Sequence, residues 1–166
     1  MTEKNEQAPI FFWRVNEKYG FLSNWYPSDF VVDGVTYHDS EQYFMAGKAR
    51  LFGDAEIEKA ILEAKDPKAY KALGRIVSPF EPKIWDENKL EIMKKANLEK
   101  FSQNPELKKK LLATGDALLE EASPKDKIWG IGLDAKKASV TPKNAWPGEG
   151  LLGKVLMEVR EELKGQ

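Results

Sequence analysis

The sequence predicts an α+β fold that is mainly α-helical, with a few short strands near the N-terminus. Strand and hairpin patterns occur before residue 40, and amphipathic helical patterns take up most of the chain after it. The chain has 166 residues, with neither an internal repeat nor a low-complexity linker. This length suffices to bury a core, so we expect a single compact domain.

The predicted strands come first. Residues Ile10 to Val15 are aromatic and β-branched, which is typical of a strand. Gly20 to Asn24 is predicted to be a loop. Residues 29–32 and 35–37 flank an Asp33-Gly34 pair, a typical sequence for a tight hairpin turn. The start of the chain therefore predicts one strand and one hairpin.

The helices follow the hairpin. Ser40 is expected to cap a helix that runs to about Leu51, and Glu41 suits the positive end of that helix. Further helices are predicted, the first two each opened by an aspartate, at Asp54–Ala64, Asp66–Leu73, Trp85–Phe101 and Pro105–Leu112. The apolar run 118–122 is too short to distinguish a strand from a helix.

The last part of the chain combines a long loop with a closing helix. Residues 123–147 are rich in Gly, Pro, Asn and Lys and are predicted to be mostly loop. Residues 150–163 form an amphipathic pattern whose apolar stripe consists of Leu152, Val155, Leu156 and Val159.

Composition excludes several kinds of chemistry. The chain has no cysteine, so it forms no disulfide and offers no thiolate. His38 is the only histidine, which excludes a zinc site of His and Cys ligands and any catalytic group that needs two histidines. No spacing typical of magnesium ligands is visible. We therefore expect neither a metal nor a cofactor, and activity that is independent of divalent ions.

Charge and hydropathy indicate which binding partners and which cellular location to expect. Lys and Arg number 26 against 27 Asp and Glu, so sequence-independent binding to a nucleic-acid backbone should be weak. Residues 1–9 are polar and are expected to form a disordered tail rather than a signal peptide. The apolar runs are too short to span a membrane, and the lack of cysteine fits a reducing compartment. We expect a cytoplasmic protein without a membrane partner. The oligomeric state is not predicted.

Two polar-aromatic clusters stand apart from this helical scaffold. The first joins Tyr19–Trp25, sequence YGFLSNW, to Ser40–Lys48, sequence SEQYFMAGK, and the second is Asp126–Gly132, sequence DKIWGIG. Acid, amide, aromatic and glycine residues side by side are typical of a site for a small, flat, polar ligand. These clusters therefore predict the functional site.

The clusters belong to a longer series of motifs. Phe12-Trp-Arg14 precedes the first cluster, Thr114-Gly-Asp116 and Glu121 precede the second, and LLGKVLMEVR follows at Leu151–Arg160. In this order the motifs resemble the NADAR family, also called the YbiA-like family, from about Phe11 to Glu162. In one departure, Gly150 stands where the family usually has an asparagine, so any ligand-binding or helix-capping role of that amide is not expected in this chain.

The resemblance implies a YbiA-like domain over residues 10–166 with N-glycosidase activity and no cofactor. The implied substrate carries a phosphorylated ribosyl or ADP-ribosyl group joined to an exocyclic amine of a base. One implied reaction breaks ribosylamino-pyrimidine intermediates of riboflavin synthesis. The other releases ADP-ribose from ADP-ribosylated guanine in DNA or RNA.

The resemblance and the clusters together assign the site. Lys48, Glu41 and Asp126 are the predicted catalytic residues. Glu41 and Lys48 lie two helical turns apart on nearly the same face, roughly 10 Å along the axis, which leaves room for a ribose. The predicted ligand-binding residues, drawn from the same motifs and from Trp85, are Arg14, Gly20, Ser23, Asn24, Tyr43, Trp85, Glu121, Trp129, Gly130 and Gly132.

The residues alone leave other interpretations open. Position alone favours solvated charges on a helix face for Glu41 and Lys48, and the family resemblance reverses this preference. Solvated helix faces are the simplest explanation for Lys94, Lys95, Lys100 and Lys108–Lys110. Asp126 could cap a turn and Trp129 could belong to the core. A non-catalytic ADP-ribose or nucleotide binder would need the pocket but not Lys48 or Glu41. A structural interaction domain would need neither the pocket nor these two residues. The N–H groups of residues 40–42 could also bind a phosphate.

Overall fold

The computed structural model describes residues 7–166 and confirms the mainly helical α+β fold. Its strands are short and three of them precede residue 40: β1 (Ile10–Phe12), β2 (Phe30–Val32), β3 (Val35–Tyr37) and β4 (Leu119–Glu121). The helices are α1 (Ser40–Leu51), α2 (Ala55–Glu63), α3 (Pro67–Arg75), α4 (Pro82–Gln103), α5 (Pro105–Ala113), α6 (Ala135–Ser139) and α7 (Leu151–Lys164). Single 3-10 turns occur at Gly20–Leu22 and Lys143–Ala145. The predicted tail lies largely outside the described residues.

The chain divides into two units. Residues 24–105 form one, called the central unit here, and the other described residues form the terminal unit. The central unit contains β2, β3 and α1 to α4, and the terminal unit contains β1, β4 and α5 to α7.

Helix α1 is the centre of the central unit. It contacts α2, α3, α4 and β3, and nine of its twelve residues are buried. The hairpin pairs Phe30 with Tyr37, and both rings pack with Tyr43 of α1, at centroid distances of 6.1 and 4.9 Å respectively. The hairpin prediction is confirmed.

The start of α1 differs from the prediction by one residue. Asp39, and not Ser40, is the N-cap, because its Oδ1 accepts a hydrogen bond of 2.9 Å from the N–H of Gln42. Both residue types cap helices well, so two adjacent candidates leave the choice to tertiary contacts. Ser40 is fully buried inside the first turn, where its hydroxyl donates to Asn97 Oδ1 at 3.4 Å.

Helix α4 also begins earlier than predicted. It starts at Pro82 instead of Trp85, because a proline needs no hydrogen-bond acceptor in the first turn of a helix. Lys100 on this helix is not a solvated charge, because it is fully buried, with 0% of its surface exposed. The interpretation of Lys100 as part of a solvated helix face is therefore wrong.

The terminal unit is built on a short parallel strand pair. β1 pairs with β4 in the register Ile10↔Leu119 and Phe12↔Glu121, which settles residues 119–121 as a strand. β1 ends at Phe12 rather than Val15, since the chain turns where the N–H of Arg14 donates to Glu17 Oε1 at 2.7 Å. Helix α7 contacts β4, and Gly153 allows this approach because a Cβ there would collide with the carbonyl of Leu119.

The predicted loop 123–147 carries some regular structure. Helix α6 begins after Asp134, whose Oδ1 accepts from the N–H of Lys137 at 2.8 Å. Across residues 7–166, every helix is either too short or too polar to cross a membrane.

Candidate active site

The central unit places Lys48 in an aromatic setting. Lys48 lies in the last turn of α1, and its Nζ is 4.8 Å from the ring centroid of Phe80 and 5.4 Å from that of Trp85. Trp85 is half-buried in the first turn of α4 and packs against Phe44 at 5.1 Å. Burial lowers the pKa of Lys48 from its ordinary value, and in the described part of the chain this amine forms no ion pair. Its neutral form is therefore more populated than that of a solvated lysine.

Glu41 is not a solvated charge either. It lies in the first turn of α1 and is only 8% exposed. Its backbone N–H donates to the carbonyl oxygen of Asn24 at 3.1 Å. The fold thus buries a carboxylic acid on the helix that carries Lys48.

Asn24 connects this turn to α4. Its Oδ1 accepts from Asn97 Nδ2 at 3.4 Å, and its Nδ2 lies 3.4 Å from the sulfur of Met93. The side chain of Asn24 is buried, so it is oriented by these contacts while its carbonyl oxygen holds Glu41. Asn97 was missed by the sequence analysis.

The first turn of α1 has little capacity to bind a phosphate. The N–H of Glu41 donates to Asn24 and the N–H of Gln42 to Asp39. For these two N–H groups the predicted phosphate contact is wrong, because their hydrogen bonds are already made within the chain.

Tyr43 lies in the aromatic core of the central unit. Its ring makes the contacts with Phe30 and Tyr37 described above, and the residue is 9% exposed. Burial raises the pKa of its hydroxyl. The ring therefore stabilises the attachment of the hairpin to α1, and its predicted role in ligand binding stays a prediction.

Two buried charged residues outside the predicted site, Asp39 and Lys100, interact at the N-terminal end of α1. Asp39 is 4% exposed, and burial raises the pKa of its carboxyl group to about 6 although the Gln42 N–H and the Tyr70 hydroxyl donate to it. Burial lowers the pKa of Lys100 to about 7, opposed in part by the charge of Asp39. The sequence contained a sign of this pair, since Lys100 continues the α4 stripe of Met93, Ala96 and Asn97.

In the terminal unit, Asp126 holds a turn. Its Oδ1 accepts from the N–H groups of Ile128 and Trp129, each at 2.9 Å. This is the turn-capping role that the sequence left open. The backbone N–H of the half-buried Trp129 is thus part of this turn.

The loop 126–132 is attached to the start of α7. The N–H groups of Gly150, Leu151 and Leu152 donate to the carbonyls of Gly130, Ile128 and Trp129 at 3.0 to 3.1 Å. These carbonyls satisfy the first N–H groups of the helix, which otherwise need a capping side chain. A side-chain cap at position 150 is therefore unnecessary in this chain.

Glycines fit the same loop where no side chain would. A Cβ at Gly130 would lie 2.8 Å from the carbonyl oxygen of Asp126, and Gly132 has a φ of +77°. Gly150 has a φ of +65°, and a Cβ there would lie 3.0 Å from Glu120 Oε2. The two predicted glycines thus shape the loop backbone.

The remaining predicted residues of the terminal unit occupy different settings. Glu121 pairs with Phe12 in the strand ladder, and its carbonyl accepts from the N–H of Ile131 at 2.9 Å. Arg14 is exposed, and its guanidinium lies 4.8 Å from the ring of Trp13. Gly20 and Ser23 belong to one tight turn, because the N–H of Ser23 donates to the carbonyl of Gly20 at 2.9 Å.

The terminal unit also contains a pocket of about 540 Å³. Its apolar lining includes Ile10, Phe21 and Ala117, and two lysines, Lys18 and Lys110, also line it. None of the predicted site residues lines it. Within residues 7–166, no group of three or more His, Asp or Glu side chains is arranged to hold a metal ion.

The protein is thus a mainly helical α+β domain in which one helix carries a buried acid, Glu41, and a half-buried amine, Lys48. Comparison with protein families matches residues 11–164 to the NADAR domain. The chain belongs to the NADAR family.

Individual relatives extend this finding. The chain is 48% identical to N-glycosidase R617 of Acanthamoeba polyphaga mimivirus, covering 92% of this chain and 95% of that protein. It is 37% identical to riboflavin biosynthesis protein VVA0006 of Vibrio vulnificus, covering 95% of this chain but 39% of that protein. The solved structure of Escherichia coli YbiA matches with a TM-score of 0.79 and 34% identity, covering 96% of this chain and 86% of YbiA.

Proposed function

We propose that the chain is an N-glycosidase that hydrolyses the bond between ribose C1 and an exocyclic amine of a base. The observation that carries the proposal is the setting of Lys48, an amine between two aromatic rings whose pKa is lowered by burial. A neutral amine adds to an electrophilic carbon, whereas an ammonium does not. The names of relatives such as N-glycosidase R617 support this reaction.

The proposed reaction proceeds through the open form of the sugar. The C1–O4′ bond of the ribosylamine breaks as O4′ takes a proton, leaving a C1=N imine to the base. The neutral Nζ of Lys48 adds to C1, a proton moves to the exocyclic nitrogen, and the C1–N bond to the base breaks. Water then hydrolyses the lysine imine, returning the amine and releasing the sugar. The net reaction consumes one water and yields free base and ribose.

Glu41 is proposed to transfer these protons. A carboxyl group held beside a reacting sugar can act as general acid and general base. Glu41 lies on the same helix as Lys48, and the Asn24 carbonyl fixes the backbone of its turn. For Asp126 we propose that Oδ2 binds a sugar hydroxyl or a water, because Oδ1 is used by the turn.

For the substrate we propose a ribosylamino-pyrimidine phosphate of riboflavin synthesis. The charge balance of 26 basic and 27 acidic residues favours a small molecule over a nucleic acid. The name of the relative VVA0006, a riboflavin biosynthesis protein, supports the same choice. ADP-ribosylated guanine shares the scissile bond and is therefore the second substrate to test.

The test is incubation of the purified protein with both substrates. Mass spectrometry follows the free base together with ribose 5-phosphate or ADP-ribose. We expect release by the unaltered chain and no release by Lys48→Ala, while Lys59→Ala, an exposed lysine of α2, serves as the matched control. Binding of a substrate without release would favour the non-catalytic binder, and neither binding nor release would refute both readings.

A further inference from the structure

Phe80 is an exposed aromatic residue beside the amine of Lys48. It lies between α3 and α4, is 42% exposed, and its ring centroid is 4.8 Å from Nζ. The ring also packs edge-on against Phe52 at 5.2 Å. Single exposed apolar residues need no explanation in general. This one lies beside the amine to which the proposed function assigns the chemistry.

An aromatic ring acts on a neighbouring amine in two opposite ways. Its π face stabilises the ammonium, which raises the pKa, and its bulk excludes water, which lowers the pKa. For Lys48 the pKa is lowered, and burial is the cause. The titration of Lys48 in a Phe80 variant decides which of the two effects prevails.

Charged neighbours do not explain the effect. Among the described groups on the elements around α1, Glu58 of α2 pairs with Arg50 and Asp86 of α4 pairs with Lys89. Asp39 and Lys100 interact with each other at the other end of α1. Neither these groups nor Glu41 is a cause of the lowered pKa of Lys48. The apolar surroundings of the amine are left as the origin.

We infer that Phe80 is a positioning residue of the proposed reaction, whose ring, together with Trp85, keeps the amine of Lys48 out of water at the end of α1. This inference rests on the proposed function for its role in turnover. The ring of Trp85 packs inward against Phe44, whereas Phe80 is 42% exposed, so Phe80 can be altered with less effect on the fold.

The direct test measures the titration of Lys48 without any substrate. Lysines are reductively methylated with ¹³C-formaldehyde, and the NMR signal of Lys48 is identified by its loss in Lys48→Arg. We expect its midpoint in the unaltered chain to lie below that of exposed lysines. Phe80→Ala should raise it toward the midpoint of the exposed lysines, as expected when a half-buried amine regains water. Phe80→Leu, which keeps the bulk without the ring, should raise it less.

Ile76→Ala is the matched control, because Ile76 is an apolar residue in the same segment with 61% exposure. It should leave the midpoint unchanged. A midpoint that stays constant or falls in Phe80→Ala would overturn the inference, since a fall would mean that the cation–π attraction prevails.

Turnover then separates this inference from the proposed function. With an active enzyme, kcat/KM of Phe80→Ala at pH 7 should fall tenfold for each unit by which the Lys48 midpoint rises, and should recover at higher pH, because each unit reduces the neutral amine tenfold. Unchanged kcat/KM at pH 7 would refute the role in turnover. If the unaltered chain releases no base, the proposed function fails, while the NMR titration still decides whether Phe80 desolvates Lys48.

Discussion

The buried pair of Lys100 and Asp39 predicts an unusual dependence of stability on pH. Burial lowers the pKa of Lys100 from 10.5 to about 7, so between these values the folded protein holds fewer protons than the unfolded chain. Stability must therefore rise with pH in this window. The pKa of Asp39 is raised from 3.8 to about 6, so stability falls as pH rises between those values. From this pair alone, stability is lowest between about pH 6 and 7.

The substitution Lys100→Met should remove the rise of stability with pH that Lys100 causes above about pH 7. Methionine keeps much of the buried volume and cannot lose a proton. As the pH rises, the free energy of unfolding of the unaltered chain should increase relative to that of the variant. The increase is at most about 1.4 kcal/mol per pH unit, which corresponds to the release of one proton. Between pH 7 and 9 the difference should amount to roughly 2 kcal/mol.

Urea unfolding at pH 7, 8 and 9 measures this difference. Lys83→Met is the control, because Lys83 is an exposed lysine in the first turn of the same helix. Parallel profiles for the unaltered chain and Lys100→Met would refute the reasoning, since they would mean that Lys100 titrates like a solvated lysine.

The remaining predictions concern the candidate site. Borohydride added during turnover should trap a covalent adduct on Lys48, detected by peptide mass spectrometry, and Lys48→Arg should abolish both adduct and base release; an active Lys48→Arg enzyme would exclude the covalent route. Glu41→Gln should retain ligand binding and slow turnover by ~100-fold or more, and wild-type rates would remove Glu41 from the mechanism. Trp129→Ala should weaken binding by roughly 1–3 kcal/mol in calorimetry, whereas a large fall in Tm at unchanged affinity would place Trp129 in the core. Gly150→Ala should lower the unfolding free energy by about 1–2 kcal/mol, because its φ is +65°, and an unchanged value would refute the strain.

The sequence predicted the helices better than the positions that depend on distant neighbours. α1 and the hairpin follow from local patterns, because caps, turn residues and apolar spacing are local. The choice between Asp39 and Ser40 as N-cap is not local, since it depends on which side chain finds a partner. The contact of Phe80 with Lys48 depends on the path of the chain between α3 and α4, which no spacing reveals.

The candidate site shows the same limit. Lys48 and Glu41 could be chosen as a pair from their helical spacing and from the family resemblance. Their burial could not, since charged residues are usually exposed and the pattern offers no contrary sign. Lys100 is the instructive case, because its place on the apolar stripe of α4 indicated burial while its charge argued against it.

The first turn of α1, the helix that carries Lys48, is unusually polar for a buried segment. Residues Asp39, Ser40, Glu41 and Gln42 are all buried, a location where apolar residues would pack without the cost of desolvation. Gln42 shows what these residues do. Its side chain accepts a hydrogen bond from the N–H of His38 at 2.8 Å and donates one to the carbonyl of Ile61 at 3.1 Å. Apolar packing tolerates a helix rotated slightly about its axis, whereas such hydrogen bonds do not, because their geometry is narrow. We therefore interpret this turn as the feature that fixes the rotation of α1, and with it the direction in which Lys48 points two turns later.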